Sequence, residues 1–463
     1  MTLPDLPLFP DAPVPENVPR AAAAPATRAT ARVQMPNRMQ LEMRTSDLES
    51  LIAPDHRVRM VWAFVEQLNL DALYAQIRAV EGSVGRSPIA PEILLSLWLY
   101  ATIDGIGSAR MLDRLCEQHD AYRWLCGGVS VNYHTLANFR VKQGLVLDNL
   151  LTMSVASLLN VGAVTLKRVA QDGMRVRASA GSKSMRRRER LEKFLVEARQ
   201  RVVELKAQVE SDPGIYSRRE QAARERAARE REEKIEAALK RLPELELTKQ
   251  RQAERGKKKV KQARASTTDA DATIMKMPNG GYNVAYNAQL CTDTTSQVIV
   301  GVDMVTTGVD QGQMSPMLTQ LQRRYDITPN EYLVDGGYVS AAEIDEVSKT
   351  STTSKTCNVY APLPARGNDK QAPQEKRGHE SAANATWRTR METDEAKKIY
   401  KERASTAECV NALARERGLT RLRVRGLAKA KSVLLLFALA HNVLRIAALA
   451  PTMLLSRASM MAR

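Results

Sequence analysis

Two acids in this chain are presented by the same local pattern. At residues 330–339, NEYLVDGGYV, the apolar run Tyr332, Leu333 and Val334 delivers Asp335 into a Gly-Gly turn ahead of a helix predicted over 340–348. At 164–170 a β-branched run leads into Gln171, Asp172 and Gly173, after which 174–178 alternates apolar with basic residues. A short apolar run closed by turn residues is the pattern of a buried strand, and glycines after it allow close approach of backbone to a ligand. Acids at the carboxyl ends of strands stand where open α/β sheets bind ligands. Either acid alone is more often a cap or turn residue than a catalytic one. Two delivered alike demand a sheet with at least two acid-bearing strands.

The residues between and after them narrow the architecture. Residues 183–264 are mostly Arg, Lys, Glu, Gln and Ala, the composition of solvated helices with charge pairs at i, i+4. Pro213 and Gly214 interrupt this segment, which predicts an antiparallel helical hairpin, with Leu191, Phe194, Leu195 and Val202 giving one face something to pack. A solvated charged face suits most of it better than DNA contact. The exception is the concentrated cluster Lys257, Lys258 and Lys259. Strand patterns then occupy 282–291 and 297–305 around a turn at 293–295, followed by an amphipathic helix over 311–325, the Asp335 strand, and a strand over 357–361 closed by Pro362 and Pro364. A polar stretch over 364–387 is expected to be a loop. The order predicts an RNase H-like mixed sheet with helices on its faces and an insertion after the first strand.

The 463 residues suffice for two or three domains. A leader over 1–44, rich in Pro and Ala, is expected to be disordered and has no apolar signal run. Residues 45–160 carry apolar stripes three and four apart, as in Val61, Phe64, Val65 and Leu68. Short helices, the Gly127-Gly128 break and the segment VNYHTLANFR admit either a helix-turn-helix or a plain α-bundle, and 45–160 is expected to be an all-α, helix-turn-helix-like DNA-binding domain. His134 and Arg140 could touch phosphate there, while the histidines show no metal-ligand spacing. With 69 Lys and Arg against 52 Asp and Glu, a net charge of +17 makes a polyanion the expected partner. Five scattered cysteines without a CxxC pair fit a reducing, cytoplasmic compartment. The apolar run 433–439 is too short to span a bilayer, so no membrane anchor is expected. A tail over 451–463 ends the chain.

A third acid comes from a helix. Over 394–416 apolar Ile399, Ala407, Val410 and Leu413 alternate with Tyr400, Arg403 and Glu408, and Glu408 lies two turns beyond Tyr400 at about the same angle. An acid so placed can project toward the strand ends that carry Asp172 and Asp335.

In its spaced blocks the chain resembles the DDE transposases of bacterial insertion sequences, over most of its length from about Val61 to Ile446. The blocks are GRSPIAPEILLSLWLYATIDGIGSARMLDRLC, RWLCGG with HTLANFR, VAQDGMRVRASAG, VDGGYVS, and YKERASTAECVNALARERG followed by LFALAHNVLR. The resemblance implies a catalytic and metal-holding triad of Asp172, Asp335 and Glu408 in an RNase H-like catalytic domain over 161–182 and 265–450. It also implies two Mg²⁺ ions, with Mn²⁺ as substitute, and hydrolysis of DNA followed by joining of 3′ ends to a target. Double-stranded DNA, as terminal repeats and target, and a homodimer would be the partners. Tyr400, Arg403 and Arg415 fill the aromatic and basic positions of the last motif. One departure concerns spacing. The better-known motif has three residues between the Arg and the acid, whereas four separate Arg403 from Glu408, Ala407 occupies the usual place and Glu402 is a competitor. Two alternatives stand beside this function: a DNA-binding architectural protein with structural acids, and a metal-dependent nuclease that cuts without joining.

Overall fold

Strand β1, Arg168–Arg177, is the axis of a mixed sheet. In the computed structural model the described residues are 47–79, 87–211, 217–256, 261–350, 357–363 and 380–454, with Pro36 and Met39. The leader (those two residues apart), Lys257, Lys258, Lys259 and the end of the tail lie outside them. After β1 come β2 (Met185–Arg186), β3 (Ala265–Ser266), β4 (Thr273–Lys276), β5 (Tyr282–Asp293), β6 (Ile299–Val305), β7 (Glu331–Leu333) and β8 (Asn358–Tyr360). β5 runs antiparallel to β1 and carries β4 and β6 along its other edge, while β7 and β8 add in parallel beyond β1. β5 is buried at ten consecutive positions from Val284 to Asp293, the mark of a strand covered on both faces.

The helix Leu427–Leu449 packs against β6 and against Pro91–Ile103, Tyr133–Lys142 and Gly144–Asn160. Every residue from Leu434 to Val443 is buried, as expected of a helix that is apolar all round. By length and composition it could cross a membrane, which corrects the expectation drawn from the shorter run 433–439; here 67% of its most apolar window is buried inside the fold. Its polar residues pin the turn between β5 and β6. Asn442 accepts from the Ile299 N–H at 2.9 Å and donates to the Ile299 carbonyl at 2.8 Å, so a side-chain amide completes a strand edge. Arg445 Nε donates to Ser296 O at 2.8 Å, and His441 Nε2 donates to Gln297 O at 2.9 Å. One apolar core therefore runs from Ile52 to Ile446 through both the N-terminal helices and the sheet.

Burial pushes the His441 imidazole down to about 4. The unfolded chain takes up this proton near its ordinary 6.5, so stability is fully present above that pH and is lost as pH falls toward 4, on the order of 3 kcal/mol from this group. Melting temperature against pH for the parent and His441→Gln measures it, and the acid-side slope is expected to be shallower in the variant.

The charged segment forms helices Arg188–Ser211 and Arg218–Gly256. Arg188 with Glu246, and Arg199 with Glu232 and Glu236, pair in the order of an antiparallel hairpin. Leu191, Ala198, Ile235, Ala238 and Leu242 make its own small core, and β2 with β3 clasps its base. In the C-terminal half, part of the stretch expected to be a loop is the helix Ala382–Glu392, whose start is capped by Ser381 accepting from the Asn384 N–H.

Candidate active site

Parallel pairing of β1 with β7 sets Ala170 opposite Leu333; continuing that register by two residues brings Asp172 beside Asp335. The two acids are held differently. Asp335 follows the end of β7, where its Oδ1 accepts from the Gly337 N–H at 2.8 Å, as the sequence pattern suggested. Asp172 does not end a strand. β1 runs on through Gly173 to Arg177, because Gly173 is needed for space rather than for a turn. A Cβ there would stand 2.2 Å from Asp310 Oδ1 and 2.6 Å from Gln289 Nε2.

Those atoms belong to a buried polar network behind Asp172. Asp310 Oδ1 accepts from Asn287 Nδ2 at 2.7 Å and Gln289 Nε2 at 2.9 Å, and its Oδ2 accepts from Arg175 Nη2 at 3.0 Å. Gln289 Oε1 accepts from Tyr338 OH at 2.5 Å and from Gln171 Nε2 at 2.8 Å, and Gln171 Oε1 accepts from Tyr332 OH at 2.7 Å. The bonds tie these residues to one another, although Asn287 Oδ1 and Arg175 Nε are buried without a partner among the described residues. Sequence reasoning missed all of these residues as site residues. The signal was Asn287 and Gln289, two amides on one face of a buried strand between apolar Val284 and Cys291.

The third acid arrives on a helix that changes pitch. Asp394–Arg403, capped by Thr393, runs into a π-helical turn over Ala404–Glu408 and then into Cys409–Glu416. A π turn closes five residues rather than four, so it absorbs one inserted residue without rotating the helix beyond it. That accounts for the unusual spacing: Arg403 and Glu408, five apart, meet at 2.5 Å between Nη1 and Oε1. The competitor Glu402 is engaged elsewhere, with Arg168 at 2.6 Å, and Ala407 is buried. Deleting the exposed Ala404 is expected to turn the π turn into an α turn with the acid still facing Arg403, so stability stays within about 1 kcal/mol of the parent. Urea denaturation measures it; a larger loss would show that the extra residue is itself required.

Arg403 ties the site together. Its Nη2 lies 3.8 Å from Asp172 Oδ2 and 3.8 Å from Asp335 Oδ2, while Nη1 holds Glu408. Burial opposes its charge, yet Asp172, Tyr400, Asp335 and Glu408 together hold its pKa above the ordinary value. Burial also raises the Asp172 carboxyl, against the pull of Arg403 and the Gly173 N–H, with Asp335 and Asp310 adding to the rise. Half-buried Tyr400 sits within the field of the same charges. Among the described residues no group of three or more His, Cys, Asp or Glu is close enough as it stands to hold a metal ion. Three carboxylates aimed at one cation are nonetheless the donors that a hard divalent ion takes.

The other expected DNA contacts are dispersed. His134 is exposed in the first turn of Tyr133–Lys142, its ring 3.9 Å from that of Tyr133, and Arg415 is exposed in the last turn of Cys409–Glu416. Arg140 is a correction. It is buried, its guanidinium 4.4 Å from the Trp98 ring and its Nη1 donating to Gly107 O at 2.6 Å, so it braces the helices instead of facing solvent.

Comparison with protein families adds an independent finding. Residues 46–142 match the Transposase domain (DUF772), and residues 350–447 match the Transposase DDE domain. The two matches support a DDE transposase of an insertion sequence. The second match covers Tyr400, Arg403, Glu408 and Arg415, whereas Asp172 and Asp335 lie outside both. No curated protein and no solved structure matches the chain.

Proposed function

We propose that this transposase binds its transposon ends, cleaves DNA by metal-dependent phosphodiester hydrolysis, and joins the freed 3′ ends to target DNA on an RNase H-like scaffold. The observation that carries this is the approach of Asp172, Asp335 and Glu408, from a mid-sheet strand, a strand end and a helix, to one guanidinium. The sheet supports it too, with an antiparallel β6-β5-β1 half followed by parallel β7 and β8.

In this reading Asp172, Asp335 and Glu408 hold the divalent ions. When bound, such ions make water nucleophilic and stabilise the leaving 3′ oxygen. The chain's own contribution is placement. Asp172 is carried by β1 and accepts from the Gly173 N–H, Asp335 is steered by the Gly337 N–H, and Glu408 is brought into line by the π turn. Arg403, Tyr400 and Arg415 lie near the acids or on the same helical run, suited to phosphate and flanking nucleotides. Exposed His134 could contact the duplex from the N-terminal helices, which are proposed as the end-binding region, and Lys257, Lys258 and Lys259 would add charge from the insertion. Two ends have to be brought together, so a homodimer is proposed.

Incubating the protein with 3′-hydroxyl transposon ends, Mg²⁺ and a supercoiled plasmid is expected to yield joined product. Cleavage without joining would favour a nuclease, and DNA binding without either would favour an architectural protein.

A further inference from the structure

We propose that Arg403 is the resident counter-cation of the DNA-free site, occupying the space between the acids and withdrawing from it when a divalent ion binds. This rests on the assignment of Asp172, Asp335 and Glu408 as the metal-holding acids.

Three carboxylates this close repel one another unless a cation stands between them. Here that cation is a side chain, held by one hydrogen bond to Glu408 and by two looser contacts of 3.8 Å to Asp172 and Asp335. The aspartates are thus gathered around Arg403 but not locked to it. Arg403 is buried to 7% exposure, and its Nε is buried with no hydrogen-bond partner. A buried donor left unsatisfied is costly and is relieved by any acceptor that reaches it. A phosphate accepts from the guanidinium fork in pairs, so a DNA backbone offers Arg403 the partner that the acids leave wanting. Metal and DNA binding are then coupled: each favours the state in which Arg403 has left the acids, and the coupling is reciprocal. An arginine serving only as structural cement would show no such competition.

The test titrates Mn²⁺ into the metal-free, full-length protein, with circular dichroism confirming the fold of each variant. Arg403→Ala is expected to bind Mn²⁺ about tenfold more tightly than the parent. Added methylguanidine should reverse the gain competitively, and sodium chloride at equal ionic strength should not. Where Arg403→Ala fails to fold, Arg403→Lys takes its place, since an ammonium lacks the fork that spans three carboxylates, and a smaller gain is expected. Mn²⁺ binding unchanged or weakened in the folded variants, or indifferent to methylguanidine, overturns the proposal. Adding Asp172→Asn to Arg403→Ala should abolish the tight binding. Its survival there would instead overturn the assignment of the acids.

Discussion

Asp335→Asn is expected to lower metal-dependent DNA cleavage by at least about a thousandfold while DNA binding and the fold persist, because a metal-held carboxylate supplies several kcal/mol of transition-state stabilisation. The substitution is clean for a structural reason. Among the described residues the local bond of Asp335 is acceptance from the Gly337 N–H, which an amide oxygen can also accept, and the side chain is 38% exposed. Glu408→Gln should behave alike, since its carboxylate is exposed and bonded to Arg403 alone among the described residues. Asp172→Asn should lose cleavage just as deeply and yet melt no lower than the parent. Its folded pKa is raised by burial, so the ionised form costs stability at neutral pH: the contribution is present when the group is protonated and is lost as pH rises through the folded pKa. Plasmid nicking in Mg²⁺, filter binding and thermal melts on the three variants together decide the matter. Any one that keeps cleavage within tenfold of the parent removes that residue from the triad.

Gly173→Ala carries the largest expected loss of stability. The added methyl would be driven into Asp310 Oδ1 and Gln289 Nε2 at 2.2 and 2.6 Å. Asp310 is a short side chain fixed by Asn287, Gln289 and Arg175, so it cannot move aside without breaking those bonds. Overpacking together with buried groups left unpaired should cost about 3 kcal/mol or more. Urea denaturation measures the loss, and cleavage at low temperature measures the effect of the displaced strand on neighbouring Asp172. A variant as stable as the parent would mean that the network yields, and that Gly173 has no packing role.

Much of the fold was legible in the sequence, and where the reading failed the failures share a cause. The charged block is a helical hairpin because its composition and its break are local properties, and β5, β6 and the helix after them follow from periodicity alone. Gly173 was misjudged as a turn because a glycine next to an acid looks the same from the chain whether it ends a strand or makes room for a carboxylate 137 residues away. Arg140, on an apparently basic helix, turned out to be enclosed against Trp98 because a helical stripe does not say which face a neighbouring helix will cover. The apolar run 433–439 gave no hint that Asn442 would complete the edge of β6, since that partner is 143 residues distant.

The sequence by itself determined the order of elements, the excess of positive charge and an aspartate in or just after each of two strands, because hydrophobic period, turn chemistry and composition act over a few neighbouring residues. Only the tertiary structure decided that Glu408 and not Glu402 shares Arg403 with the two aspartates. That choice depends on a helix widening by one residue per turn and on Arg168, 234 residues from Glu402, claiming the competitor. Neither the pitch of a helix under packing nor the identity of a distant ion partner is encoded within reach of the residues concerned.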